Sequence, residues 1–101
     1  MRILFEEQDV IDAVCVYEAA EHAYRPEQIE VDLQFHPAHG FHASARLPYR
    51  TVELGEQQLI DAIAVYLRDY HHFIPERLGI DLQFHEHTGI TAEIMVLVQE
   101  I

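Results

Sequence analysis

Sliding the chain along itself by 49 positions aligns residues 7–46 with residues 56–95 without a gap, and about two-fifths of the aligned pairs are identical. Matches include Glu7 with Glu56, Ile11-Asp12-Ala13 with Ile60-Asp61-Ala62, Val16-Tyr17 with Val65-Tyr66, Pro26-Glu27 with Pro75-Glu76, and Asp32-Leu33-Gln34-Phe35-His36 with Asp81-Leu82-Gln83-Phe84-His85. Whatever the first half builds, the second must build again. Two copies are too few to stack as a solenoid, so the repeat predicts a single domain over residues 1–101 with similar halves, about 1–49 and 50–101.

Each copy opens with apolar residues at three- and four-residue spacing: Val10, Ala13, Val14, Tyr17 and Ala20, then Leu59, Ala62, Ile63, Tyr66 and Tyr70. That period predicts an amphipathic helix. Pro26 and Pro75 bias the preceding residues away from helical angles, which ends the helices near Tyr24 and Phe73. Strict alternation follows, with Ile29, Val31, Leu33 and Phe35 on one side and Glu30, Asp32, Gln34 and His36 on the other. Gly40 and Gly89 then precede a second alternating run, completing a hairpin in each copy.

Residues paired across antiparallel strands share a face, so apolar must oppose apolar. Setting Phe35 against Ala43 and Leu33 against Ala45 leaves a loop of Ala38, His39 and Gly40, with the glycine at the position that needs positive φ. This register sets His36 against His42, Gln34 against Ser44 and Asp32 against Arg46, and in the second copy His85 against Thr91, Gln83 against Glu93 and Asp81 against Met95. Short alternating stretches at residues 2–5 and 51–54 suggest an additional strand before each helix. The fold class is therefore α+β: a two-layer sandwich from a duplicated α-β-β unit, with two helices on one face of an antiparallel sheet of four to six strands.

The other sheet face is polar apart from Met95 and Leu97. An antiparallel sheet can leave such a face wet. Apolar residues in polar surroundings also mark subunit contacts, which makes Met95 and Leu97 the interface candidates of a homodimer.

Eighteen acidic residues against six basic ones give a net charge of −12, which repels phosphate backbones and anionic lipid and argues against nucleic acid and membrane as partners. Lysine is absent, excluding Schiff-base chemistry and a P-loop of the usual kind. A single cysteine, Cys15, allows no intrachain disulfide, and with no apolar run of spanning length and an early acidic N-terminus the expected location is cytoplasmic.

Eight histidines raise metal binding. Directly opposed residues have Cβ atoms about 5 Å apart, so His36 and His42 would be able to share a divalent ion such as zinc, with His39 above them in the loop. Only the first copy has this set, since Thr88 and Thr91 replace His39 and His42 in the second. Otherwise no cofactor is expected. His22, His71 and His72 suit the negative ends of the helix dipoles. Asp12 and Tyr17 fall on different helix faces, Cys15 reads as a small buried thiol, and Ser44 is assigned the face opposite His42, which argues against a serine nucleophile with that base.

The entry Phe5-Glu6-Glu7-Gln8-Asp9, the segment Asp12-Ala13-Val14-Cys15-Val16-Tyr17 and the twofold α-β-β pattern together resemble the YxcD-like proteins, small uncharacterised proteins of Bacillus-type Firmicutes. The resemblance spans essentially the full chain. It implies a bacterial cytoplasmic protein and carries over no catalytic residues. Two function classes follow from the residues: a non-catalytic interaction module that self-associates and whose acidic surface suits a basic partner, or a metal or small-ligand binder, hydrolases included, using the histidines. Protonation of the histidines would also make self-association pH-sensitive.

Overall fold

The computed structural model describes residues 1–97; the end of the second copy, residues 98–101, lies outside the described residues. Along the chain run β1 (Arg2–Phe5), α1 (Glu7–His22), β2 (Glu30–His36), β3 (Gly40–Arg46), β4 (Thr51–Gly55), α2 (Glu56–His71), β5 (Leu78–His85) and β6 (Gly89–Val96), with a 3-10 turn at Pro26–Gln28 and another at Pro75–Arg77. The order strand, helix, 3-10 turn, hairpin thus occurs twice. Both short stretches suspected of being strands are strands.

The six strands form two three-stranded antiparallel sheets, in the orders β2-β3-β4 and β1-β6-β5. This corrects the expectation of one sheet, and the reason is reciprocal pairing. The leading strand of the second half, β4, adds to the hairpin of the first, while β1 adds to the hairpin of the second. Each half therefore completes the other's sheet, and neither sheet is built from one half alone.

The hairpin register is also corrected. His36 lies opposite Gly40, Phe35 opposite Phe41, Leu33 opposite Ala43 and Val31 opposite Ala45, so the loop is Pro37, Ala38 and His39. The second hairpin matches, with His85 opposite Gly89, Gln83 opposite Thr91 and Asp81 opposite Glu93. The expected pairing was slipped by two residues: the faces were right and the partners wrong. Gly40 and Gly89 hold φ of 76° and 77°, which their lack of Cβ permits, but as the first residues of β3 and β6.

Both helices start on side-chain caps. The Glu6 N–H donates to the Asp9 carboxylate and the Gly55 N–H to Gln58 Oε1, satisfying donors that the first turn leaves free. They end two residues earlier than the prolines suggested, at His22 and His71, because Ala23 and His72 adopt left-handed φ of 60° and stop the ladder.

Val10, Ala13 and Val14 of α1 and Leu59, Ala62, Ile63 and Leu67 of α2 meet Ala43, Ala45, Leu54, Ala92 and Ile94 in one buried cluster. The small alanines at the strand centres let the helices approach closely. In the last turn of α1 the buried side is Glu18 and Ala19, whereas Ala20, which the sequence pattern placed inside, is exposed, as is Tyr70 in α2.

The halves also lock at the helix starts. The Ile90 N–H donates to Glu7 Oε2 at 2.9 Å, and a Cβ added at Gly89 would lie 2.1 Å from that oxygen. Glu56, the repeat partner of Glu7, stands over Gly40 in the same way, its Oε1 3.2 Å from where a Cβ would be.

Candidate interaction surface

Alternation along the strands puts the apolar residues of both sheets against the helices and leaves an outer face on each. On the sheet β2-β3-β4 that face is polar and internally paired. Arg46 bridges Asp32, at 2.7 Å, and Glu30; both acids hold its guanidinium in the charged form and push its already high pKa further up. Glu53 of β4 accepts from the Ser44 hydroxyl at 2.6 Å, and the same Oε2 is 3.1 Å from His42 Nε2.

His42 and Ser44 therefore share a face, a correction to the expected opposition. Two residues apart on one strand, they must point the same way. The arrangement is still not a nucleophile with its base, because the serine proton goes to the carboxylate and both side chains converge on one Glu53 oxygen.

The three histidines singled out as metal ligands line one small cavity of about 260 Å³ together with Gln34 and Gly40. The corrected register takes His36 away from direct opposition to His42, which faces Gln34. His36 Nδ1 accepts from the Ala38 N–H at 3.1 Å, and its ring lies 4.8 Å from that of His39. Among the described residues no three or more His, Cys, Asp or Glu side chains are grouped so as to hold a metal ion.

The sheet β1-β6-β5 has a different outer face. Leu4 is 63% exposed and Met95 45%, and Leu97, just past the end of β6, is 61% exposed. Leu4 pairs with Glu93 and Arg2 with Met95, so Leu4 and Met95 are diagonal neighbours on adjacent strands. Arg2 reaches Glu93 at 3.7 Å, and Gln83 donates to Asp81 at 3.2 Å, giving the apolar residues a paired polar surround. Leu4 was not singled out by its sequence, because only pairing of β1 with β6 brings it beside Met95.

Elsewhere the side chains are accounted for structurally. Cys15 is half-buried, its thiol donates to the Ile29 carbonyl at 3.4 Å, and burial with the nearby Asp12 charge raises its pKa. Asp12 accepts from Gln8 rather than meeting Tyr17. Burial and the acids Glu21, Asp61 and Glu18 push the Tyr17 hydroxyl up.

His22 does more than face a helix dipole: its Nε2 is 3.1 Å from Glu18 Oε2, and the Arg50 guanidinium lies 3.4 Å from its ring nitrogens. Glu18, like Leu4, is a residue the sequence reading missed. It is 4% exposed, and its Oε2 has no aligned hydrogen bond despite the short approach of His22. The signal was present, since the 49-residue shift pairs Glu18 with the buried Leu67 and four residues separate it from Val14.

The chain belongs to the family described as "Protein of unknown function (DUF2653)", whose profile matches residues 1–73 and again residues 49–100. No curated protein and no solved structure matches it. No helix among the described residues is long and apolar enough to cross a membrane.

Proposed function

We propose that this member of an uncharacterised family is a non-catalytic, cytoplasmic interaction module that self-associates as a homodimer through the outer face of β1-β6-β5. The observation that carries the reading is the exposure of Leu4 and Met95 as diagonal neighbours on one sheet face, with exposed Leu97 just past the end of β6, where apolar side chains within polar surroundings favour burial against a like surface. A twofold dimer sets the same patch against itself, so each apolar residue contributes twice. The duplication belongs to the same reading, supported by the repeated element order and the identities at an offset of 49 residues, as does the two-layer arrangement, supported by the buried cluster between helices and strands; a YxcD-like, bacterial origin rests on the resemblance of the segments Phe5–Asp9 and Asp12–Tyr17.

Native mass spectrometry and sedimentation velocity at micromolar concentration test it. The expected result is a dimer that Met95→Glu converts to a folded monomer, because the residue is exposed and its replacement leaves the core untouched. A monomeric parent protein overturns the reading.

The second reading, zinc or small-ligand binding by His36, His39 and His42, draws on the cavity they share. Adding stoichiometric zinc to the metal-stripped protein in the same experiment decides it. A one-zinc-per-chain adduct lost in His36→Ala would put this reading first.

A further inference from the structure

Among the described residues, strand β2 has a bonded partner on one side only, β3. The hairpin closes with the His39 N–H donating to the His36 carbonyl at 3.0 Å, and His36 lies opposite Gly40. Peptide groups alternate in direction along a strand, so the even-numbered residues bond to β3 while Val31 and Leu33 turn N–H and C=O to the opposite edge. Ile29 is in phase with them, and its carbonyl accepts from the Cys15 thiol, which places that edge beside α1.

The edge and α1 are the two walls of a groove of about 620 Å³. Its floor is apolar, with Ile11, Val16, Ile29 and Val31. Asp12, Glu27, Glu30 and Asp32 line it as well, and the one cation among its lining residues, Arg46, is bonded to Glu30 and Asp32. Asp12 and Glu27 thus set the sign of the field at the groove. An unpaired strand edge beside a helix is a template for strand addition, where main-chain bonds give affinity and alternate side chains give selectivity.

We propose that this groove takes an extended cationic peptide segment as an added strand, alternate apolar side chains turned to the floor and alternate Arg or Lys turned to the acids. A second copy offering its own β2 would set Glu30 and Asp32 against themselves in a chain of net charge −12. The proposal goes beyond self-association through β1-β6-β5 and does not depend on it.

The probe is an acetylated, amidated octapeptide alternating Arg and Val, titrated into the ¹⁵N-labelled full chain and followed by amide shifts and fluorescence anisotropy. Saturable binding with the largest shifts at Val31 and Leu33 is expected, and none for the Glu-Val counterpart. N-methylating one of the two alternate sets of peptide nitrogens removes the donors that face β2 and weakens binding on the order of tenfold. Replacing Asp12 by Asn and Glu27 by Gln, both at the surface, weakens it by about two- to fivefold each. Absence of saturable binding, equal binding by both N-methylated peptides, or a footprint on β5 rather than β2 overturns the proposal.

Discussion

Phe35 and Phe84, equivalent residues of the two halves, stack with ring centroids 4.9 Å apart and planes 12° from parallel. They belong to different sheets, so the contact joins two hairpins that share no hydrogen-bonded strand. Phe41 adds a third ring, 4.8 Å from Phe35. Phe84 remains 46% exposed, so burial alone does not account for its position and the ring contact carries weight. Aromatic pairs contribute about 0.5–1.5 kcal/mol beyond area burial. A urea double-mutant cycle over Phe35→Leu and Phe84→Leu should give a coupling energy in that range; additive effects would show that the sheets are joined elsewhere.

The lock between helix starts and hairpins predicts unequal glycine effects. Any Cβ at φ near 77° costs about 1–2 kcal/mol. At Gly89 it would also displace the Glu7 carboxylate and strip the Ile90 N–H of its acceptor, so Gly89→Ala should cost about 2–4 kcal/mol. Gly40→Ala meets Glu56 less closely and should cost about 1–2 kcal/mol. In a Glu7→Ala background the extra penalty at Gly89 should vanish. Equal losses at the two glycines would remove the asymmetry from the account.

Alternation fixes a residue's face but not its partner, because it constrains pairing only to within two residues. That is why Leu33 and Phe35 were placed inside from sequence while His36 was set against His42 rather than Gly40. Both registers put glycine near the turn, and the type of loop decides between them. The sheet split was illegible for another reason: β1 has four residues, and its pairing with β6 spans nearly the whole chain, so no local pattern encodes it. Leu4 entered the candidate surface only through that pairing. Glu18, by contrast, was readable as a charged residue on an apolar helix face.

Cys15 and Tyr17 predict an alkaline loss of stability. Burial raises both acids above their ordinary values, 9.0 for the thiol and 10.0 for the phenol. Well below pH 9 both states keep the thiol proton and stability does not depend on it. Above the unfolded value the unfolded chain releases the proton while the folded chain holds it, so stability falls until the folded group also ionises. Cys15→Ala, which copies Ala64 of the second half, should flatten the first part of this slope, and Tyr17→Phe the later part. Urea midpoints measured between pH 8 and 10.5 check this; a slope unchanged in both variants would assign it to other groups. Iodoacetamide should likewise label Cys15 more slowly in the native than in the unfolded protein at pH 8.

Glu18 is a buried carboxyl group without an aligned hydrogen bond, in a position where the other half carries Leu67. Its companion is His22, at 3.1 Å, and the guanidinium of Arg50 stands beyond the imidazole. Replacing a buried ion pair by packed apolar groups is commonly neutral or stabilising, whereas removing one partner leaves the other charge uncompensated. Glu18→Leu leaves behind only a partly exposed imidazole that water can solvate and puts at this core position the residue the other half carries, so it should stabilise the fold by about 1–2 kcal/mol in urea unfolding near neutral pH. His22→Ala should destabilise it by about 1–3 kcal/mol, below the range for a fully buried pair because the imidazole is partly exposed. In the Glu18→Leu background His22→Ala should become nearly neutral, since the carboxylate it accompanies is gone. If Glu18→Leu instead destabilises by more than His22→Ala does, the carboxylate has a partner that the present contacts do not explain, and its retention at a core position becomes a structural requirement of the first half.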